Sequence, residues 1–210
     1  MDIATITTFA FVAALLVISP GPNGVLIART VPTSGKAAGF ANVAGMASAL
    51  YLHGALVVFG VSIILVRSAE LFFIVKIAGA AYLCWIGIRA LYDAWRGDVV
   101  HLDVKPARRR RTLARAFGEG FLTNALNPKV SMFYLAAFPQ FVPFEQMTAA
   151  NTFLLVFIHS MLNLMWFSAM VAVFARVMEF AKGGAFQRWI KGVTGVVFLG
   201  LGAKLATLRP

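Results

Sequence analysis

Ser19-Pro20-Gly21-Pro22-Asn23 stands inside a run of 26 residues, between Asp2 and Arg29, that carries no charged side chain. Such a run exceeds the roughly 20 apolar residues a helix needs to cross a hydrocarbon core. Proline removes a backbone donor and clashes with the preceding turn. Two prolines around a glycine therefore predict local unwinding. The freed amides and carbonyls are tolerable at membrane depth only where protein or a water-filled cavity satisfies them. A second polar break, Asn127-Pro128-Lys129, interrupts a later apolar stretch. The pair points to an all-α membrane protein in which the first and fourth spans are broken helices.

Composition agrees. The chain has 210 residues, 60% apolar and 13% charged, with 19 phenylalanines. An ordinary soluble chain is about 45–50% apolar and about 25% charged. A disordered chain, a coiled coil and an ordinary soluble enzyme are excluded. The lone Cys84 allows no intrachain disulfide and no thiolate cluster, and is read as packing. Two more uncharged runs, of 30 residues each, lie between Lys36 and Arg67 and between Glu145 and Arg176. Stretches 71–95 with Lys76, 117–138 with Lys129 and 189–208 with Lys191 and Lys204 bring the candidate spans to six. Continuous apolar runs, rather than alternating ones, argue against a β-barrel. The first run is too long for a cleaved signal and lacks a basic start, so it is expected to remain in the mature protein.

Fourteen of the 19 Lys and Arg residues fall in alternate connections, near 29–36, 89–115 and 176–191. This positive-inside bias places those connections in the cytoplasm and both termini outside. The net charge of +11 is read as orientation rather than as nucleic-acid binding. The arginines at 108–111 serve as an anchor near anionic headgroups.

The spans repeat. An offset of 115 lays Lys76 on Lys191, Gly87 on Gly202 and Arg89 on Lys204. An offset of 108 lays Pro20 on Pro128, and the second and fifth spans each hold a histidine, His53 and His159. The chain thus reads as one transporter domain over 1–210, with three-helix halves at 1–96 and 112–210 and a basic cytoplasmic linker at 97–111. Three is odd, so the second half inserts upside down. Inverted halves meeting at broken helices are a recurring plan of secondary transporters.

The candidate substrate-binding residues are Ser19, Pro20, Gly21, Pro22 and Asn23 at one break, Asn127, Pro128 and Lys129 at the other, and Asn42 and Tyr51 nearby. Amides at a new half-helix start suit a carboxylate. A lysine deep in a span costs about 2.5–3.5 kcal/mol on insertion scales. Lys129 offsets that cost by binding a substrate carboxylate, by cycling a proton, or by bonding within the bundle. Carbonyls near Ser19 and the Asn side chains would take a substrate's ammonium. Lys76, Lys191 and Lys204, near span ends, are read as snorkelling. His53 and His159 are either proton-coupling groups or interhelical hydrogen-bonding residues. Asn124 and Asn163 are placed in the same cavity, and Glu119 at a helix N-terminus. The small residues between Gly35 and Gly45 predict close helix approach. No GxxxxGK[ST] sequence appears, nor any HExxH or paired cysteines, so no ATPase, metal or cofactor is expected.

The breaks, together with Gly79-Ala80-Ala81-Tyr82-Leu83, Gly87 and Phe138-Pro139-Gln140-Phe141, resemble the LysE/RhtB family of amino-acid exporters over nearly the whole chain. The resemblance implies a bacterial inner-membrane exporter of amino acids or related small metabolites, driven by proton influx as an antiporter. Family members often carry Asp or His near the position of His53, which raises it as a coupling group. Few intramembrane acids favour a neutral amino acid as substrate, with protons and the lipid bilayer as the other partners. A homodimer is compatible with the sequence. An exporter of cations or other solutes on the same scaffold, a passive channel and a membrane enzyme are the alternatives. Nothing in the sequence supplies the nucleophile and base an enzyme would need.

Overall fold

Asp2 starts the first helix, α1 (Ile3–Ile18), by accepting the Thr5 amide at 2.7 Å. That bond holds the Asp2 carboxyl below the usual carboxylate range. The helix stops at Ser19, ahead of Pro20 and an extended Gly21. Helix α2 (Pro22–Leu56) then opens with proline at its first turn, where a missing N–H costs nothing. It bends at Gly35, whose φ of 81° is a left-handed value that favours glycine. The segments 22–34 and 36–56 are therefore two helices in direction, and a π turn, Val57–Val61, follows.

Residues 1–61, 69–97, 111–142, 148–174 and 184–207 are described in this computed structural model. Helix α3 spans Ala69–Arg96. Helix α4 (Leu113–Ala125) is capped by Thr112, which accepts from the Arg115 amide at 3.3 Å. Helix α5 (Pro128–Met132) continues into a π turn, Phe133–Ala137, and a 3-10 turn, Phe138–Gln140. Helix α6 spans Ala149–Ala172, capped by Thr148, and helix α7 spans Gly184–Thr207. All regular elements among the described residues are helical. The linker expected at 97–111 lies outside the described residues except at its two ends.

Three stretches of helix among the described residues are long and apolar enough to cross a membrane: Pro22–Phe59, Ala149–Ala172 and Arg188–Thr207. Six apolar stretches were expected. Much of the difference lies in the breaks, because α1 stops at 16 residues and the fourth stretch is divided among α4, α5 and two tighter or wider turns. The first span also continues past Arg29, the boundary that charge suggested, to the bend at Gly35. Charge marks a surface, whereas the glycine marks where the backbone turns.

Small residues set the packing. A Cβ on Gly45 would strike the Phe117 carbonyl and the Phe121 amide, and one on Gly120 would strike the Asn42 carbonyl, so α2 and α4 touch backbone to backbone. Helices α3 and α7 meet the same way at Gly87 and Gly195, with Gly202 against Cys84. Gly39 and Gly54 bring α2 onto Val171 and Val156 of α6. This close approach buries Lys191 beside Asp93, 3.8 Å away, and corrects the snorkelling expected of that lysine.

Two apolar clusters fill the interior. One centres on Phe9, whose ring stands edge-on to Phe138 at 5.7 Å and to Phe141 at 5.3 Å. The other joins Val17, Ile27, Val43, Met46, Phe167 and Val171. Large apolar side chains such as Phe11, Leu56, Phe59, Met165, Trp189 and Val196 face outward. An apolar exterior over an apolar interior is what a bilayer solvent permits.

Candidate functional site

The two breaks meet. Lys129, in the first turn of α5, donates its ammonium to the Ser19 carbonyl at 2.9 Å. A Cβ on Gly21 would lie 3.3 Å from the same ammonium, so glycine leaves the lysine room beside the break. The Ser19 carbonyl, expected to receive a substrate ammonium, is thus occupied by the chain's own cation. A half-buried ammonium takes the acceptor that the proline break leaves free.

The proline rings Pro20, Pro22 and Pro128 are exposed, and what they contribute is the backbone they release. Pro128 has no N–H to give the carbonyl four residues earlier, that of Asn124. That carbonyl instead lies 3.3 Å from His53 Nε2 and accepts the Asn127 amide at 3.2 Å. Asn127 spends its side-chain oxygen on the Lys129 amide at 3.1 Å, as the cap of α5. Asn23 donates Nδ2 to Asn124 Oδ1 at 2.9 Å, and Asn124 donates Nδ2 to the Met46 carbonyl at 2.7 Å.

Beside this network three rings form a column. His53 stacks on Tyr134 at 5.4 Å, and Tyr134 stacks on His159 at 5.7 Å. The Tyr134 hydroxyl is 3.1 Å from His159 Nδ1. All three are buried, and Phe133 stands edge-on to His159. Tyr134 lies in the π turn after α5, and the other π turn follows His53 by four residues. Such widened turns recur at functional sites.

Ser19, Gly21, Asn23, Asn127, Lys129, His53 and His159 are therefore neighbours or joined through one intermediary. Asn42 and Tyr51 are not in this group. Asn42 donates to the Ala116 carbonyl at 2.6 Å, a bond within the α2–α4 contact. Tyr51 is 39% exposed and stacks on Phe153. It follows His53 backwards by two residues, about 160° around the helix. Asn163 is buried on α6, with Oδ1 lacking a partner among the described residues. Glu119, read as a helix-start residue, binds Arg111 and also Arg115 at 3.0 Å. The Arg111 amide donates to Ser34 at 2.9 Å, tying the end of segment 22–34 to the start of α4. No group of three His, Cys, Asp or Glu side chains that could hold a metal occurs among the described residues.

Sequence reasoning passed over Tyr134, a single tyrosine in an apolar run. Its spacing of five from Lys129 is one π turn, a period that helical patterning does not test. Asn124 was seen, but not as the junction between break one and His53.

Comparison with known proteins extends the geometry. A homoserine/homoserine lactone efflux protein of Salmonella typhimurium is 28% identical over 201 residues, covering 96% of this chain and 95% of that protein. The threonine efflux protein of Escherichia coli K12 is 26% identical over 204 residues, covering 96% and 97%. A Bacillus subtilis membrane protein named as uncharacterized is 28% identical over 200 residues, covering 92% and 94%. No solved structure matches the chain. The LysE type translocator family matches residues 14–209, nearly the full length and both breaks. The chain belongs to the family of LysE type translocators, which are transporters and not enzymes.

Proposed function

We propose that the chain is a six-span exporter of a neutral amino acid or a related small zwitterion, built from two inverted three-helix halves. It sits in a bacterial inner membrane with both termini periplasmic, and it exchanges substrate for protons. The observation that carries this reading is the contact between the breaks, Lys129 on the Ser19 carbonyl. A cation held, among the described residues, by a backbone carbonyl alone is poised to exchange that partner for a carboxylate, because charge-assisted pairs are the stronger ones. A substrate carboxylate then draws Lys129 away. The substrate ammonium goes to the vacated Ser19 carbonyl and to Asn23 Oδ1, a buried acceptor with no partner among the described residues.

What supports inverted halves is the pattern of packing. A two-fold axis in the membrane plane maps a contact of the third span with the sixth, or of the second with the fifth, onto itself. It requires the second-on-fourth contact to recur as fifth-on-first. The four corresponding packings, α3 on α7, α2 on α6, α2 on α4 and α6 on α1, are all made. His53 and His159 are the coupling groups, one from each half. A cycle driven by protons needs proton and substrate to bind differently to the two facing states. The efflux relatives make threonine and homoserine the first substrates to test.

The test is efflux from proteoliposomes loaded with radiolabelled amino acids, with the outer face acidified. Export of a neutral amino acid with alkalinisation outside is the expected result. Amino-acid flux without proton movement would favour a channel, and no flux of any amino acid would contradict the reading.

A further inference from the structure

Asn124 is fully buried (0% exposed) in the last turn of α4, where three parts of the chain converge. Its hydrogen bonds fix one another. The Met46 carbonyl can only accept, so Asn124 must present Nδ2 to it. Asn124 Oδ1 therefore faces Asn23, which must present its own Nδ2. The consequence is that Asn23 Oδ1, buried and without a partner among the described residues, is locked as an acceptor at the first break. An amide free to flip would also offer a donor there, but this one cannot.

The main chain of the same residue reaches the other way. Its carbonyl is short of a helical donor because Pro128 stands four residues on, and it lies 3.3 Å from His53 Nε2. A carbonyl cannot donate, so Nε2 carries a hydrogen whatever the charge on His53. The proton that His53 gains and loses sits on Nδ1. Around His53 stand Tyr134, stacked on it, and His159 beyond that ring; Lys129 lies within electrostatic reach of His159, and Tyr51, on the outer side of the helix, within reach of Tyr134.

We propose that Asn124 is the positioning residue that couples the two ligands of the exporter. Its amide aims Asn23 Oδ1 at a donor on the substrate, an ammonium or a hydroxyl, and its carbonyl holds the proton-carrying histidine. A shift of the α4 end that follows substrate at Asn23 moves the acceptor of His53 with it. By linkage, a proton on His53 alters substrate affinity by the factor by which substrate alters proton affinity. This inference rests on the exporter reading above.

The experiment measures KM for radiolabelled L-threonine and L-homoserine between pH 5.5 and 8 in proteoliposomes, beside substrate-for-substrate exchange without a pH gradient. Wild type is expected to change KM about tenfold across that range. Asn124→Ala is expected to keep exchange, raise KM about tenfold, and hold KM within about twofold across the pH range. A tenfold change corresponds to about 1.4 kcal/mol, the upper end of one hydrogen bond. Asn23→Ala, which cuts the link from the substrate side, should flatten the profile in the same way. Loss of transport rate with an unchanged KM–pH profile, or failure of both variants to fold, would mark a structural role and overturn the proposal. Wild type that moves no amino acid of a wider panel with protons would overturn the exporter reading and this inference with it. A coupled wild type with a coupled Asn124→Ala would overturn this inference alone.

Discussion

Lys129 and Ser19, 110 positions apart, are joined by a 2.9 Å hydrogen bond from the lysine ammonium to the serine carbonyl. Each stands at a proline break. The bond closes the site with a group of the chain itself, and the zwitterion proposed above would replace both of its halves.

Restoring the missing donor at the second break should heal the helix and harm the site. Pro128→Ala supplies an N–H to the Asn124 carbonyl, in competition with His53. The expected outcome is export reduced at least about tenfold with an unchanged or raised melting temperature, the trade expected where a strained site serves function. Efflux assays beside thermal melting in detergent check it. Full export would show that the freed carbonyl has no part in transport.

Helix contact should depend on glycine at some positions and not at others. Gly45→Ala and Gly120→Ala each drive a Cβ into main-chain atoms of the facing helix. Overpacking of this kind costs about 1–3 kcal/mol. Gly118→Ala and Gly192→Ala meet nothing within 4 Å, and helix propensity should stabilise each by about 0.5–1 kcal/mol. Melting temperatures should separate the two pairs, below and at or above wild type. Equal temperatures would refute the backbone-to-backbone packing of α2 on α4.

The histidine column gives a kinetic signature. His53→Ala and His159→Ala, combined, should abolish accumulation driven by an imposed pH gradient while substrate-for-substrate exchange continues. Tyr134→Phe keeps both ring stacks and removes only the hydroxyl near His159 Nδ1. It should lower gradient-driven transport more than exchange. Proton-driven export that survives the double substitution would remove the histidines from the cycle.

The breaks were legible because proline and glycine act locally, and any helix must yield at Pro20-Gly21-Pro22 and at Pro128. The histidines were legible because a titratable group in an apolar run is conspicuous. What lay beyond the sequence was set by tertiary contact. Lys129 could have faced a substrate, a proton path or a partner, and only the meeting of the two breaks in space brings it to the Ser19 carbonyl. Lys191 looked like a snorkelling end residue until α3 and α7 closed at Gly87 and Gly195 and buried it near Asp93. Tyr51 lies two residues from His53, yet helical rotation turns it to the outer surface. Tyr134 depends on a π turn that no 3.6-residue pattern announces.

The most direct test of a zwitterion held between the breaks compares binding of the best-exported amino acid with its carboxamide. Isothermal titration would be run on wild type and on Lys129→Met. Wild type should prefer the free carboxylate by at least about tenfold, and Lys129→Met should bind acid and amide alike. A preference for the carboxylate that persists undiminished in Lys129→Met would contradict it.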